Sequence, residues 1–209
     1  MASLQGSLFD TASEPRLRPL DGSVHRYRLE RGAWVDHLPG WVERADLLFE
    51  QLLNAVNWRN EERVMYDRTV DVPRLLASFD GHEPAPHPLL DEAKSTLVDH
   101  YRGTPGGHLA TIGLCLYRDG RDSVAWHGDT IGRGATEDTL VAIVSLGHHR
   151  RLALRPRHGG ARPLRFEAGG GDLLVMGGSC QRTWEHAVAK TARPVGPRIS
   201  VQFRPHGVR

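Results

Sequence analysis

The chain has 209 residues, 39% of them hydrophobic, and a formal net charge of only +2. That length suits one domain with one sizeable core. No run of about 18 apolar residues occurs, so no membrane span is expected. The basic residues are nearly all arginine, Lys94 and Lys190 being the lysines, but 25 acidic residues offset them. Charge balance alone therefore does not argue for a nucleic-acid partner. The two cysteines, Cys115 and Cys180, make neither a disulfide framework nor a C-x-x-C metal pair. With no basic-then-apolar leader in Met1–Asp10, a reducing, cytoplasmic location and a monomer are expected.

Residues 1–24 are polar and contain proline, and read as a poorly ordered or wrapping arm ahead of a single domain over 25–209. Trp41, Ala45, Leu48, Leu52 and Val56 recur at helical spacing and predict a helix over 41–56. Residues 57–87 lack a clear period. They read as irregular hairpins or loops, long enough to act as a lid over a site. Leu90, Ala93, Leu97 and Tyr101 predict a second helix from Pro88 to Arg102, with Gly103 ending it. From 108 onward the pattern is of short β-prone runs: Ala110–Tyr117, Thr139–Leu146, Arg151–Arg155, Pro163–Phe166, Asp172–Met176 and Arg198–Arg204. Asp119-Gly120, Gly159-Gly160 and Gly169-Gly170-Gly171 are the turn signals between them. Helices followed by strands predict an α+β fold. The strands form an antiparallel jelly roll, and the N-terminal helices pack on one sheet.

In Trp126-His127-Gly128-Asp129 a histidine and a carboxylate stand at i and i+2, on one face of an extended chain. Gly128 is expected to clear space for a metal. His186 supplies a third candidate ligand. Two imidazoles and a carboxylate leave positions open on an iron and suit O₂ chemistry at Fe(II). With 12 histidines in the chain, roughly one such dyad arises by chance, so the dyad alone is weak. The C-terminal run strengthens it. Arg198, Ser200, Gln202 and Arg204 alternate with Ile199, Val201 and Phe203, so the polar set either faces water or lines a barrel. In the second case Arg198 can pair bidentately with a dicarboxylate.

These stretches, in this order, resemble the AlkB family of Fe(II)/2-oxoglutarate dioxygenases. Leu116-Tyr117-Arg118-Asp119-Gly120, His127-Gly128-Asp129, Val144-Ser145-Leu146-Gly147, Gly171–Met176, Trp184-Glu185-His186 and Pro197–Arg204 carry the likeness. The resemblance implies a double-stranded β-helix, with His127, Asp129 and His186 as both iron ligands and catalytic centre. It implies that Tyr117 and Arg198 hold the distal carboxylate of 2-oxoglutarate, with Arg204 near its keto-acid end. It places Gln202 and Cys115 in the same pocket. Gln202 stands where many members have a smaller hydroxyl residue, and Cys115 where they often have Asn. Ile131 stands where several DNA-repair members have a base-reading acid.

The implied reaction is oxidative demethylation of N-alkylated bases in DNA or RNA, using Fe(II), 2-oxoglutarate and O₂ and releasing formaldehyde, succinate and CO₂. A buried iron requires a flipped or single-stranded base. Trp58, Tyr66 and Phe79 are candidate stacking residues, and Arg74 a candidate phosphate contact. The alternative is the same chemistry on a protein, lipid or small molecule.

Overall fold

The apolar stripe that predicts a helix from residue 41 holds only from Ala45 onward. The computed structural model describes residues 14–65, 68–160 and 162–208, with backbone alone for 62–65 and 68–71. Trp41 is fully buried, and Val42–Glu43 form a short strand, β4, antiparallel to β1 (Arg16–Leu17). The Val42 N–H donates to the Gly171 carbonyl at 3.0 Å, so it is committed to a tertiary contact and not to a helix. Arg44 then turns left-handed (φ 55°), and α1 runs from Ala45 to Ala55. It buries Ala45, Leu48, Phe49 and Leu52. The second helix, α2 (Pro88–His100), begins where predicted. His87 caps it by accepting the Leu89 N–H on Nδ1, and proline occupies the first turn, where its missing N–H costs nothing.

Two antiparallel sheets face one another. The larger has eight strands in the spatial order β2 (His25–Arg28), β3 (Trp34–Leu38), β12 (Asp172–Gly177), β9 (Val141–Gly147), β14 (Arg198–Arg204), β7 (Thr111–Tyr117), β6 (Arg68–Phe79) and β5 (Arg59–Met65). The smaller has four: β11 (Leu164–Ala168), β10 (Arg150–Pro156), β13 (Trp184–Val188) and β8 (Val124–His127). A single turn, α3 (Cys180–Thr183), joins β12 to β13. This is the expected jelly roll. The segment read as irregular is a β5–β6 hairpin that extends the large sheet at its edge.

Because side chains alternate along a strand, the large sheet has two differently employed faces. Ile199, Val201 and Phe203 of β14, Leu114 and Leu116 of β7 and Val144 of β9 pack with α1 and α2. The opposite face looks into the space between the sheets, where Tyr117, Val141, Ile143, Leu174 and Met176 form a second core. Arg198, Ser200, Gln202 and Arg204 lie on that inner face. The first three are 1%, 4% and 6% exposed, so the polar half of β14 lines the barrel and does not meet water.

Tyr101, at the end of α2, locks the helix layer to the sheet. Its hydroxyl donates to Asp36 Oδ2 at 2.8 Å, and Asp36 also accepts two bonds from Arg26 at 2.7 Å each. Tyr101→Phe removes a hydrogen bond to a buried carboxylate and is expected to cost about 1.5–3 kcal/mol. Urea unfolding checks this: the midpoint should fall while the slope is unchanged.

Candidate metal centre and co-substrate pocket

The dyad sits at the end of edge strand β8, and the third histidine lies directly opposite it on β13, where His186 pairs with His127 in register. One ligand atom from each of His127, Asp129 and His186 lies within 4.8 Å of the others, and this is the one such metal-ligand cluster among the described residues. The ring centroids of the two histidines are 4.2 Å apart. His127 Nδ1 lies 2.8 Å from the Ala125 carbonyl. A carbonyl can only accept, so Nδ1 carries the proton and Nε2 presents its lone pair toward Asp129 Oδ1, 3.8 Å away. Burial pushes the His186 imidazole down to about 3, which keeps it in the neutral form a metal requires. Burial would raise the Asp129 carboxyl, but Arg204 and the two histidines outweigh it and hold the group below the usual carboxylate range.

Two neighbours orient Asp129. Arg204 Nε donates to Oδ2 at 2.7 Å, leaving Oδ1 for a metal. Gln181, 1% exposed on α3, accepts the Asp129 backbone N–H on Oε1 at 2.9 Å. Gly128 is needed for a different reason from the one the sequence suggests. A Cβ there would collide with the Gln181 carbonyl oxygen, on the side away from the metal. The glycine lets α3 close against the back of the dyad.

The adjacent pocket is built by register. Arg198 pairs with Tyr117 on one side and Gly147 on the other, and Ser200 with Cys115 and Ser145. Arg198 Nη2 donates to Ser145 Oγ at 2.6 Å, and its carbon lies 5.2 Å over the Tyr117 ring. Its Nε and Nη1 are buried with no hydrogen-bond partner among the described residues. Two orphaned donors on one buried guanidinium fit a carboxylate. Burial, then Cys115, push the Tyr117 phenol up to about 12 against the pull of Arg198, Arg74 and Arg150. It therefore stays a neutral hydrogen-bond donor. Gln202 donates to Ser200 through Nε2, and its Oε1 lies 3.7 Å from Cys115 Sγ. It braces the wall of the pocket. These residues fit an iron and a 2-oxoglutarate side by side.

The candidate substrate residues divide. Ile131, two residues past Asp129, is 68% exposed and stays at the mouth. Trp58 and Phe79 do not reach the site: both pack against the helix-side core, and Phe79 pairs with Ile112 on that face. Aromatic residues in an aperiodic segment look available, yet strand alternation turns Phe79 away, and Trp58, just ahead of β5, donates its indole N–H to the Leu53 carbonyl of α1. Arg74 is turned inward, donating from Nη1 to the Ser123 carbonyl at 3.2 Å and lying within electrostatic reach of Cys115 and Tyr117. It is a pocket residue, not an outward phosphate contact. Tyr66 lies outside the described residues. Sequence reasoning misses Ser145, Gln181 and Arg150. Arg150 is 3% exposed and caps the carbonyls of Asp119, Asp122 and Ala189 behind Tyr117. Ser145 falls inside a stretch that carries the family likeness but is given no role there, and no motif marks Gln181 or Arg150, since each acts through a partner distant in sequence.

A family model described as the 2OG-Fe(II) oxygenase superfamily matches residues 79–204. Alpha-ketoglutarate-dependent dioxygenase alkB homolog 3 of Bos taurus is 32% identical over 92% of this chain and 73% of its own length. The Homo sapiens protein of that name is 31% identical over 79% and 64%. DNA oxidative demethylase ALKBH2 of Arabidopsis thaliana is 29% identical over 75% and 60%. The chain thus spans about two thirds of the length of these curated relatives. In fold, it is similar to a Trichoplax adhaerens prolyl hydroxylase in complex with a hypoxia inducible factor peptide fragment. That likeness has a TM-score of 0.60 at 15% identity and covers 81% of this chain and 83% of the other. OsALKBH1 superposes with a TM-score of 0.55 at 13% identity, covering 87% and 100%.

Gln181→Met keeps the volume but removes the acceptor for the Asp129 N–H. It is expected to weaken divalent-metal binding by roughly 10–100-fold. A Mn(II) titration on protein whose thermal unfolding is unchanged checks this.

Proposed function

The chain belongs to the 2OG-Fe(II) oxygenase superfamily, in its AlkB-like branch, and we propose that it demethylates N-alkylated bases in single-stranded DNA or RNA. The observation that carries the proposal is the similarity to a DNA oxidative demethylase over 75% of this chain, in a chain whose His127, Asp129 and His186 cluster and Arg198 pocket fit the same chemistry. The enzyme is a 2-oxoglutarate-dependent dioxygenase that uses Fe(II), 2-oxoglutarate and O₂. Once bound, the iron and keto acid couple O₂ activation to conversion of 2-oxoglutarate into succinate and CO₂.

The protein's part is orientation and exclusion of water. Tyr117 and Arg198 would hold the distal carboxylate of the co-substrate, and Ser145 fixes the Arg198 fork. Arg204 occupies the outer oxygen of Asp129 and leaves the inner one for iron. The half-exposed His127 ring faces the mouth, where a flipped base would lie beside it. One oxygen atom enters a C–H bond of the N-methyl group. The resulting carbinolamine then breaks its C–N bond. Nitrogen keeps the electron pair and takes the hydroxyl proton, and formaldehyde leaves.

A second reading is the same oxidation of a protein, lipid or small molecule. Ile131 favours it, because an apolar side chain 68% exposed at the mouth cannot pair with a base edge. We propose that it works as a monomer in a reducing, cytoplasmic setting, with which the free state of Cys115 and Cys180 accords. Among the described residues no helix is long and apolar enough to cross a membrane.

Incubation with methylated single-stranded DNA, duplex DNA and RNA tests the substrate. Formaldehyde should appear in proportion to succinate with single strands, only with Fe(II) and 2-oxoglutarate present, and not with Asp129→Ala. Succinate without formaldehyde from every methylated strand would favour the second reading.

A further inference from the structure

The strand that carries His127, β8, has a second face. His127 pairs with His186, whereas Trp126 lies under Arg155, whose register partner Glu185 alternates with His186 and so faces the outer side of the four-stranded sheet. Trp126 is 36% exposed and Ile131 68% exposed. These are the two exposed large apolar side chains among the described residues, and both flank the dyad.

The indole is held, not loose. Arg155 lies across the sheet with its guanidinium carbon 4.3 Å from the Trp126 ring centroid. Glu185, its register partner on β13, accepts from Arg155 Nε and Nη2 at 3.0 and 2.9 Å. A carboxylate thus orients a guanidinium, and the guanidinium orients an aromatic ring.

Beside it stands a cation with no counter-charge among the described residues. Arg157 follows the end of β10, and its backbone N–H donates to the Thr183 carbonyl at 2.9 Å. Its Nη2 lies 3.1 Å from where a Cβ on Gly128 would stand. Its Nε is buried without a hydrogen-bond partner, and its side chain makes no ion pair among the described residues. The neighbouring arginines are all engaged: Arg155 with Glu185, Arg151 with Glu167 and Arg182 with Asp138. An ordered aromatic face and a free guanidinium are therefore offered side by side: Arg157 follows two residues after the Arg155 that covers Trp126, and it reaches Gly128, two residues after Trp126.

We infer that the outer face of β8 is a single-strand contact site. Trp126 stacks a base neighbouring the target nucleotide, and Arg157 takes a backbone phosphate. The inference rests on the nucleic-acid reading above and goes beyond it by assigning where the strand runs. The strand leaves the metal mouth past Ile131 and crosses the rim of the four-stranded sheet. Stacking is indifferent to sequence because every base has a π face, so this contact holds the strand without selecting the lesion.

The test uses protein loaded with 2-oxoglutarate and with Mn(II) in place of iron, and a fluorescent single-stranded DNA carrying one N-methylated base. Trp126→Leu should weaken binding roughly tenfold, while Trp126→Phe keeps most of the affinity. Arg157→Gln should weaken binding and lower the slope of log affinity against log salt by about 0.7. If the Leu and Gln variants bind as tightly as the parent with the same slope, the contact site is wrong, while the demethylase reading stands. If the parent turns over no methylated strand and binds none, the nucleic-acid reading fails and takes this inference with it. Should Trp126→Leu lower the unfolding temperature markedly, Arg157→Gln, a change at the sheet's rim, decides by its salt slope.

Discussion

The bond between Arg204 and Asp129 is the constraint on which the rest of the site depends. A carboxylate 4% exposed is costly to keep ionised unless it is paired and hydrogen-bonded. Arg204 supplies the charge at 2.7 Å, and Gln181 supplies an acceptor for the residue's own N–H. The pairing also fixes which oxygen is left for a metal. It requires that β14 run through the middle of the large sheet with its polar side turned inward. Once that holds, alternation delivers Arg198 to the same face, six residues away, in register with Tyr117 and Ser145's strand.

The large sheet thus separates two tasks. Its helix-side face is packed by α1 and α2 with leucine, valine and phenylalanine. Its inner face carries every side chain proposed to hold the co-substrate. A shift of one residue in β14 would exchange the two sets. It would bury both arginines against the helices and open Ile199, Val201 and Phe203 to the pocket. Packing of the outer face therefore guards the geometry of the inner one, and the Tyr101–Asp36–Arg26 network adds a tie between the helix layer and the sheet edge.

Much of this is legible in the sequence, and the reasons are specific. The alternation in Arg198–Arg204 is complete, so residue order alone divides the strand into its two faces. His127, Asp129 and His186 are recognisable by type and order. The hairpin over 59–79 is hidden because an edge hairpin has no uniformly buried face to impose a period. The apolar stripe places the start of α1 four residues too early, because Trp41 and Val42 continue it while serving a tertiary contact with Gly171. Trp58 and Phe79 look like substrate residues since burial direction is not written in a segment without clear period. Gly128 stands out in the sequence, but its constraint comes from Gln181, more than fifty residues on, and no local pattern announces such a contact. Gln181 and Arg150 are silent for the same reason, and Ser145, though inside a matching stretch, shows its role only through its contact with Arg198.

The central claim is that metal and dicarboxylate share one site, with Arg198 as the anchor of the second. Its most direct test is the affinity for 2-oxoglutarate under anaerobic conditions, measured with and without Mn(II), in the parent and in Arg198→Lys. The account predicts tight binding only with metal present, and a loss of about ten- to a hundredfold when the guanidinium fork is replaced by an ammonium. Equal affinity with and without metal, or in the Lys variant, would contradict it.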